Sequence, residues 1–433
     1  MTSVFFDSFV LRSVTLSSAA VKVDVHLRDG AIEKVVPLDA RERPHAGSAD
    51  AAGASPNEMD MDGYLLLPSP VEPHAHLDKA LLGRRVPNRT GDLAGAIEAI
   101  KAAYPSMTRD DIGRRSLLAV TEALTRGYTA VRTHVDCREE IGTTGIEAIV
   151  DLKRKLTGII DLQIVALAGE VGGDDGAPNR STLQASLELG ADIVGGVPSL
   201  ERNPKASLRE LMAIAGDARC GIDLHIDETT DPDIFVLRQL ARSILSSGFA
   251  YPVTASHCVS LGTQSADAAR EAVQLIADSG MSIVTLPQTN LFLQGRGSTT
   301  RKPRGLTAIE DLLASGVTVA AGSDNWRDPF NPMGRIDALE TASLLVSAGH
   351  LMPGDAYVCT STGARRAMGL PEVRVAAGYP ADLLAIRANS LEEAMASGTL
   401  DRVVLKDGRV VARTEVAVNL SSHLQALIET ADY

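Results

Sequence analysis

The run LLLPSPVEPHAH at residues 65–76 opens a regular pattern that decides the fold. Seven more buried-looking runs follow, each succeeded by a stretch of helical character: TAVRTHVD (129–136), DLQIVALAG (161–169), ADIVGGVPS (191–199), GIDLHIDE (221–228), VTASHCVS (253–260), MSIVTLPQTN (281–290) and VTVAAGSDN (317–325). After the first gap the runs start about 30–35 residues apart, the length of a strand, a helix and two short loops. Eight such units predict an α/β fold, a (β/α)8 TIM barrel. The alternative, a doubly wound open sheet, would normally carry a glycine-rich phosphate loop after its first strand, and none is seen.

Short β-type runs with Asp-Gly turns flank the barrel region. VKVDVHLRDGAIEKVV at 21–36 turns at Asp29-Gly30, and DRVVLKDGRVVAR at 401–413 turns at Asp407-Gly408. Asp-Gly favours tight hairpins, so the two chain ends could share one sheet. Residues 41–57, rich in Ala, Gly, Ser and Pro, are expected to form a surface loop without a function.

The composition restricts the class of partner. With 433 residues and 45% hydrophobic side chains, the chain can bury a barrel core and a smaller appendage. A net charge of −13 disfavours nucleic acid and membrane surfaces, which leaves a small-molecule substrate as the expected partner and a homo-oligomer open. Charges interrupt the apolar stretch at the start and no basic lead-in precedes it, so we expect a cytoplasmic protein. Cysteines without a CxxC pair, expected to be reduced thiols, stand at Cys137, Cys220, Cys258 and Cys359.

Histidines concentrate at the ends of the predicted barrel strands, where barrel enzymes build their active sites. They are His74, His76, His134, His225 and His257, out of nine in the chain. The alternation of a strand points His74 and His76 to the same side. An isolated HxH pair would equally suit two buried rings bonded to backbone, but His225 and Asp324 end the fifth and eighth strands. Together these nitrogen and oxygen donors predict one divalent cation, Zn²⁺ or Fe²⁺.

Two residues are candidates for proton transfer. Glu228 lies three positions beyond His225, where a carboxylate could carry a proton from an activated water to a leaving nitrogen. The alternative for Glu228 is a first-turn glutamate favoured by a helix dipole. His257 could orient that water or stabilise developing charge, or it could be a buried imidazole with satisfied hydrogen bonds. Both groups would act on a metal-bound water, because coordination lowers the pKa of water from 15.7 to about 7.

Six motifs resemble, in order through most of the barrel, those of the cytosine deaminase branch of the amidohydrolase superfamily: VEPHAHLDKA, VRTHVD, LHIDE, TASHC, PQTNLFLQGR and GSDNWRDPFNPMG. The resemblance implies metal ligands at His74, His76, His225 and Asp324. It also implies that Glu228 is the proton shuttle, that His257 stands beside the hydrolytic water, and that Asp324 accepts a proton from that water.

The same resemblance bears on metal number and on domains. The fourth run, IVGGVPS, has no lysine to form the carbamylated bridge found in two-metal members of the superfamily, so one metal is expected. The chain ends resemble the superfamily's composite β-sandwich. We therefore expect a β-sandwich domain formed from residues 1–64 and 376–433, with the barrel at 65–375.

Two departures from the cytosine deaminase pattern concern the substrate. Gly169 stands where that branch has a glutamine that binds the pyrimidine edge, and Asn325 replaces a second aspartate after Asp324. Cytosine itself is therefore not the expected substrate, since a site without matching partners loses discrimination. A larger ring or an acyclic amide could fill the space at Gly169.

Further candidates lie in loops near the strand ends. Trp326 could cover a planar substrate or simply pack its loop, and Lys79 and Gln294 could contact a substrate carboxylate or carbonyl. We expect His134 and Asp136 to orient a ligand. A basic run that could attract an anionic substrate, or only form a solvated face, comprises Arg296, Arg301, Lys302 and Arg304.

These observations predict a metal-dependent hydrolase that deaminates an amino-substituted nitrogen heterocycle. The same residues would also serve an amidohydrolase that cleaves an amide, a cyclic amide or an N-alkylamino bond. A non-catalytic binding protein on this fold is a remote alternative, because it should have lost ligands or the shuttle. A deaminase with a P-C-x-x-C motif is excluded, because the motif is absent.

Overall fold

The computed structural model describes residues 8–16, 21–38 and 57–429. The sheet formed by the chain ends, called here the end sheet, contains β1 (Ser8–Leu16), β2 (Lys22–Arg28), β3 (Ala31–Pro37), β4 (Glu58–Asp60), β5 (Tyr64–Pro68), β14 (Leu383–Arg387), β15 (Arg402–Lys406) and β16 (Arg409–Thr414). The barrel strands are β6 (Glu72–Ala75), β7 (Ala130–Cys137), β8 (Asp161–Ala168), β9 (Ile193–Gly196), β10 (Ile222–Ile226), β11 (Val253–His257), β12 (Ser282–Thr285) and β13 (Val319–Ala321).

Helices follow the barrel strands in the expected alternation. They are α1 (Leu93–Ala103), α2 (Arg109–Thr125), α3 (Thr144–Lys155), α4 (Ala177–Leu189), α5 (Pro204–Ala218), α6 (Val236–Ser247), α7 (Ala266–Ser279), α8 (Pro287–Leu293), α9 (Ile309–Ala314), α10 (Ala338–Ser347), α11 (Pro353–Thr360) and α12 (Thr362–Ala367), with α13 (Leu391–Ser397) and α14 (Ser422–Glu429) near the end. The helix α6 shows why these segments form helices that pack on the barrel. Its residues Leu237, Leu240 and Ile244 recur at helical spacing and are buried. No helix in the described ranges is both long and apolar enough to cross a membrane.

The eight barrel strands are parallel and lie in chain order from β6 to β13. A parallel bridge between Ala75 and Asp324 closes the ring between the first and last strands, and the amide of Asp324 donates to the carbonyl of His74 at 3.0 Å. The predicted TIM barrel is therefore confirmed. All strand carboxyl ends open on one face, which gathers residues from distant parts of the chain.

The run at 65–76 is not one barrel strand as expected. Its first half is β5, which pairs with β1 and β14 in the end sheet, and only β6 belongs to the barrel. Pro68 is the last residue of β5, and residues 69–71 separate it from β6. The amides of Ser69 and Val71 donate to the carbonyls of Asp382 and Thr360, so neither amide extends the barrel ladder.

Both chain ends contribute to the end sheet, as the hairpin signals indicated. Asp29 and Gly30 have φ of 50° and 79°, and Asp407 and Gly408 have 48° and 71°, the left-handed conformations of tight hairpin turns. Ala381 connects the two turns, because its amide donates to Gly30 and its carbonyl accepts from Gly408. The sheet thus folds over one apolar core of its own, separate from the barrel core. The expected surface loop at 41–57 lies, except for residue 57, outside the described residues.

Candidate metal centre and active site

Four ligand-type atoms from three separate segments meet at the carboxyl ends of the strands. His225 Nε2 lies 3.2 Å from His74 Nε2 and 3.2 Å from His76 Nε2. Asp324 Oδ1 lies 3.2 Å from His76 Nε2 and 3.6 Å from His74 Nε2. The four side chains are buried. The structure thus brings together the four residues that the sequence singled out as ligands.

These four distances fit neighbouring ligands of one cation. Metal–nitrogen and metal–oxygen bonds of roughly 2.0–2.1 Å place neighbouring ligand atoms about 3 Å apart. Within the described residues, Asp324 Oδ1 receives no hydrogen bond although it is buried. Three ring nitrogens and a carboxylate oxygen at this spacing, with one oxygen left without a donor, form a donor set that a divalent cation would satisfy.

Burial keeps two of the ligand imidazoles, those of His74 and His225, neutral. It lowers the pKa of His74 and of His225 well below the usual range, and neighbouring histidines lower both further. A neutral ring offers a lone pair, which is the form that binds a metal.

Hydrogen bonds at the opposite ring nitrogens orient two of the ligands. His76 Nδ1 donates to the carbonyl of His134 at 3.1 Å. His74 Nδ1 lies 2.9 Å from Ser256 Oγ, which donates to Asp223 at 3.1 Å. Since a donating Nδ1 leaves Nε2 with its lone pair, both rings present the tautomer that a metal requires.

Asp223 is itself held by Arg132, whose Nη1 donates to it at 2.8 Å. The chain from His74 through Ser256 and Asp223 to Arg132 is called here the His74 relay. His134 stacks on His74 with ring centroids 3.8 Å apart. The second residue expected to orient a ligand, Asp136, lies instead on the cavity wall.

Glu72 fastens the closure of the barrel. Its carboxylate accepts from the amide of His74 at 3.1 Å and from the amide of Ser323 at 3.0 Å, and also from the Ser323 hydroxyl at 2.5 Å. Burial raises the pKa of Glu72 to about 7, against these hydrogen bonds, which favour the anion. One carboxylate thus holds His74, which is a ligand, and Ser323, which directly precedes the ligand Asp324.

The two candidate proton-transfer residues face the same point. Glu228 Oε1 lies 3.6 Å from His257 Nδ1, and Asn290 Nδ2 lies 3.5 Å from Glu228 Oε1 and 3.1 Å from His257 Nδ1. An amide NH2 between two acceptors leaves the proton of a neutral His257 on Nε2. Burial, followed by repulsion from Asp324, raises the pKa of Glu228 well above its usual range, whereas burial lowers that of His257 to about 4.

Two of these residues have an uncommon backbone conformation. His257 has φ of 70° and Asp324 has φ of 66°. A non-glycine residue held there costs roughly 1–3 kcal/mol, and such residues cluster at functional sites. Both stand where a strand ends and turns its side chain into the barrel mouth.

A cleft of about 60 Å³, partly open to solvent, lies over this cluster and is called here the catalytic cavity. It is lined by His76, Lys79, Leu93, Ile97, Ile100, Lys101, Tyr104, Asp136, Arg138, Leu167, Val197, Leu200, His225, Glu228, His257, Asp324, Asn325 and Phe330. Lys79 binds Asp136 at 2.9 Å, and Tyr104 donates to the same carboxylate at 2.8 Å. Lys79 therefore lines the catalytic cavity with its ammonium group already paired with the Asp136 carboxylate.

The other expected substrate contacts occupy different positions. Asn325 lines the cavity, but its amide donates to Asp328 at 2.9 Å and accepts from Thr289 at 3.2 Å. Gln294 donates to the carbonyl of Glu228 at 3.0 Å and so supports the shuttle from behind. Trp326 is fully buried, and its indole donates to Ser323 at 2.7 Å.

Trp326 therefore packs its loop and does not cover the cavity, which corrects one of the two roles considered for it. Gly169 borders an adjoining cavity, and a Cβ there would lie 2.6 Å from the Asn179 amide, so the space beside it is partly filled. None of the four residues of the basic run lines the catalytic cavity. The Arg296 guanidinium lies 4.3 Å from the centre of the Phe292 ring, and Arg304 Nη1 donates to the carbonyl of Ala348 at 2.8 Å.

Sequence reasoning missed the helical wall of the cavity and the residues that support the ligands. The helix α1 lies in the unusually long interval between β6 and β7, a length that could have signalled an insertion over the mouth. Arg138 directly follows β7, so the strand-end criterion applied to histidines would have found it. Glu72 stands inside the quoted motif, but nothing in its spacing indicates its partner Ser323.

Comparison with known proteins places these features among related enzymes. Residues 84–412 match a family model described as the amidohydrolase family. A pterin deaminase from Rhizobium rhizogenes is 33% identical over 405 residues, covering 92% of this chain and 90% of that protein. An N-isopropylammelide isopropyl amidohydrolase from a Pseudomonas species is 29% identical, covering 86% of this chain and 91% of its own.

Solved structures agree with the fold throughout the chain. A 5-methylcytosine deaminase from Klebsiella pneumoniae, liganded with 5-fluorocytosine, superposes with a TM-score of 0.84 at 27% identity. The alignment covers 96% of this chain and 100% of that structure. The likeness therefore includes the end sheet as well as the barrel.

Proposed function

This chain belongs to the amidohydrolase family, and we propose that it is a metal-dependent hydrolase that deaminates an amino-substituted nitrogen heterocycle. The observation that carries the proposal is the meeting of three Nε2 atoms and one carboxylate oxygen beside Glu228 and His257, all facing one cavity.

We assign one divalent cation, Zn²⁺ or Fe²⁺, to His74, His76, His225 and Asp324. When bound, it would supply the Lewis acidity that makes water nucleophilic at neutral pH. Side chains of the chain itself are proposed to meet two further requirements, protonation of the ring and stabilisation of developing charge.

Glu228 is proposed to protonate a ring nitrogen. Its raised pKa keeps a proton available near neutral pH, because burial and Asp324 both disfavour the anion. A ring nitrogen that gains a proton makes the adjacent carbon more electrophilic, which promotes attack by water and departure of ammonia. Gln294 holds the Glu228 carbonyl and thereby fixes the segment that carries the acid.

His257 is proposed to donate a hydrogen bond from Nε2 to the oxygen that gains charge. Asn290 at Nδ1 fixes that tautomer, and no partner for Nε2 is found among the described residues. A donor already aimed at the reacting oxygen needs little reorganisation during the reaction.

A second candidate is hydrolysis of an N-alkylamino or amide bond. It is favoured by the 29% identity to an N-isopropylammelide isopropyl amidohydrolase. The same acid and the same metal ligands would serve, since only the leaving amine differs.

One experiment tests both candidates. Metal-loaded protein is incubated with aminopurines, pterins, aminotriazines, creatinine-like rings and N-alkylaminotriazines, and ammonia and alkylamine are measured. Ammonia release with about one metal per chain is expected. Alkylamine release alone would favour the second candidate, and absence of both products across the panel would contradict both.

A further inference from the structure

A second cavity adjoins the catalytic cavity and is called here the outer cavity. Its volume is about 600 Å³, and it is partly open to solvent. Both cavities are lined by Ile97, Lys101, Arg138, Val197 and Leu200. The two spaces therefore adjoin each other at these five residues.

The side walls of the outer cavity are largely apolar. Ala94 and Ile97 on α1 form one wall, and Val197 and Leu200 form the other, with Ala168 at the end of β8. Leu200 is 58% exposed, a large fraction for a leucine beside an active-site cleft. An apolar group placed between the walls would cover this surface.

Two of the three acidic residues that line the outer cavity are engaged elsewhere. Glu170 binds Arg202 at 3.0 Å. Glu201 accepts from the amide of Gly172 at 3.0 Å and from Ser207 at 2.7 Å. The space between the walls therefore offers mainly apolar contact, while Glu98, Lys101 and Arg138 add charged side chains to the lining.

From this arrangement we propose that the substrate is an amino-substituted heterocycle bearing an apolar alkyl or aryl substituent, and that the substituent occupies the outer cavity. The inference rests on the proposed function, because the ring must lie in the catalytic cavity for its substituent to pass Arg138. It also gives a place for the larger ligand that Gly169 suggested, since Gly169 borders the outer cavity.

The test compares two diaminotriazines that differ in one substituent: benzoguanamine carries phenyl and acetoguanamine carries methyl. Binding to the metal-loaded protein is measured by titration calorimetry. We expect benzoguanamine to bind about tenfold more tightly, because a partly buried phenyl group removes substantial apolar surface from water. Equal affinities, or no binding of benzoguanamine, would overturn the inference.

Variants locate the effect. Leu200→Asp places a charge on the apolar wall and is expected to abolish the phenyl preference, and Ala94→Trp should do the same by filling the space. Leu245→Asp is the matched control, because Leu245 on α6 is 46% exposed and borders neither cavity. A preference that survives both wall variants would refute the assignment.

Ammonia release separates this inference from the proposed function. If the phenyl preference is found but no ring in the panel is deaminated, the result supports the outer cavity as a binding site and contradicts the proposed deamination. If acetoguanamine is deaminated and the phenyl preference is missing, the deamination stands and the outer-cavity inference fails.

Discussion

β7 and β8 pair along their whole lengths, from Ala130 opposite Asp161 to Cys137 opposite Ala168. Two strand interfaces away, the ladder contact found between the last and first strands is the bridge of Ala75 with Asp324. This junction is called here the seam. Backbone pairing over the whole strand length holds the first wall, whereas side chains add to a short backbone contact at the seam.

The seam is also where three of the four proposed ligands stand. His74 and His76 lie on its β6 side and Asp324 on its β13 side, with Glu72 bonded across it. A cation bound there would connect the two edges. The comparison therefore suggests that barrel closure and metal binding stabilise each other.

Metal removal should give the largest effect. Dialysis against dipicolinate is expected to abolish activity and, where free metal had been about a thousandfold above Kd, to lower the free energy of unfolding by about 4 kcal/mol. Hydrogen exchange should rise at residues 72–76 and 319–325 and stay unchanged at 130–137. A uniform rise over both walls would contradict a special role for the seam.

Glu228→Gln should separate chemistry from closure. Glutamine keeps the size of the side chain but cannot transfer the proton, so turnover should fall by about 10²-fold or more. Metal content and hydrogen exchange at the seam should match wild type. Glu188→Gln, an exposed change on α4, serves as the control. An unchanged rate would remove Glu228 from its proposed role.

Glu72→Gln should weaken the seam without changing the side chain of a ligand. The amide offers one acceptor oxygen where the carboxylate accepts from His74 and Ser323. We expect a loss of about 2 kcal/mol in unfolding free energy and faster metal release to a chelator. Denaturant titration and metal-release kinetics measure the two effects. Wild-type values for both would show that the seam does not depend on this carboxylate.

Ser256→Ala should give the smallest effect in this series. It removes the hydroxyl that joins His74 to Asp223, so His74 loses the partner that fixes its tautomer. Metal affinity should fall about tenfold, as measured by chelator competition. Ser282→Ala on the neighbouring strand β12 is the control, and a similar loss in both variants would contradict the His74 relay.

Much of the fold could be predicted from periodicity alone. Buried runs at regular spacing indicated the barrel, and Asp-Gly turns indicated that the ends share a sheet; both are confirmed. The assignment of 65–76 to one strand was wrong, because a buried β5 has the same apolar composition as a buried barrel strand. The domain limits at 64 and 376, and the role of each site residue, stay predictions.

The sequence by itself determined which residue types arrive at the barrel mouth, because each strand end carries its side chains there whatever the exact register. Only the tertiary structure decided what those residues contact. Trp326 is buried in the core, and Gly169 borders the outer cavity. Glu72 accepts a hydrogen bond from Ser323, which lies 251 positions away in the sequence. Local pattern records the direction of a side chain along its own strand, but partners from distant segments are set by how the strands close into a ring.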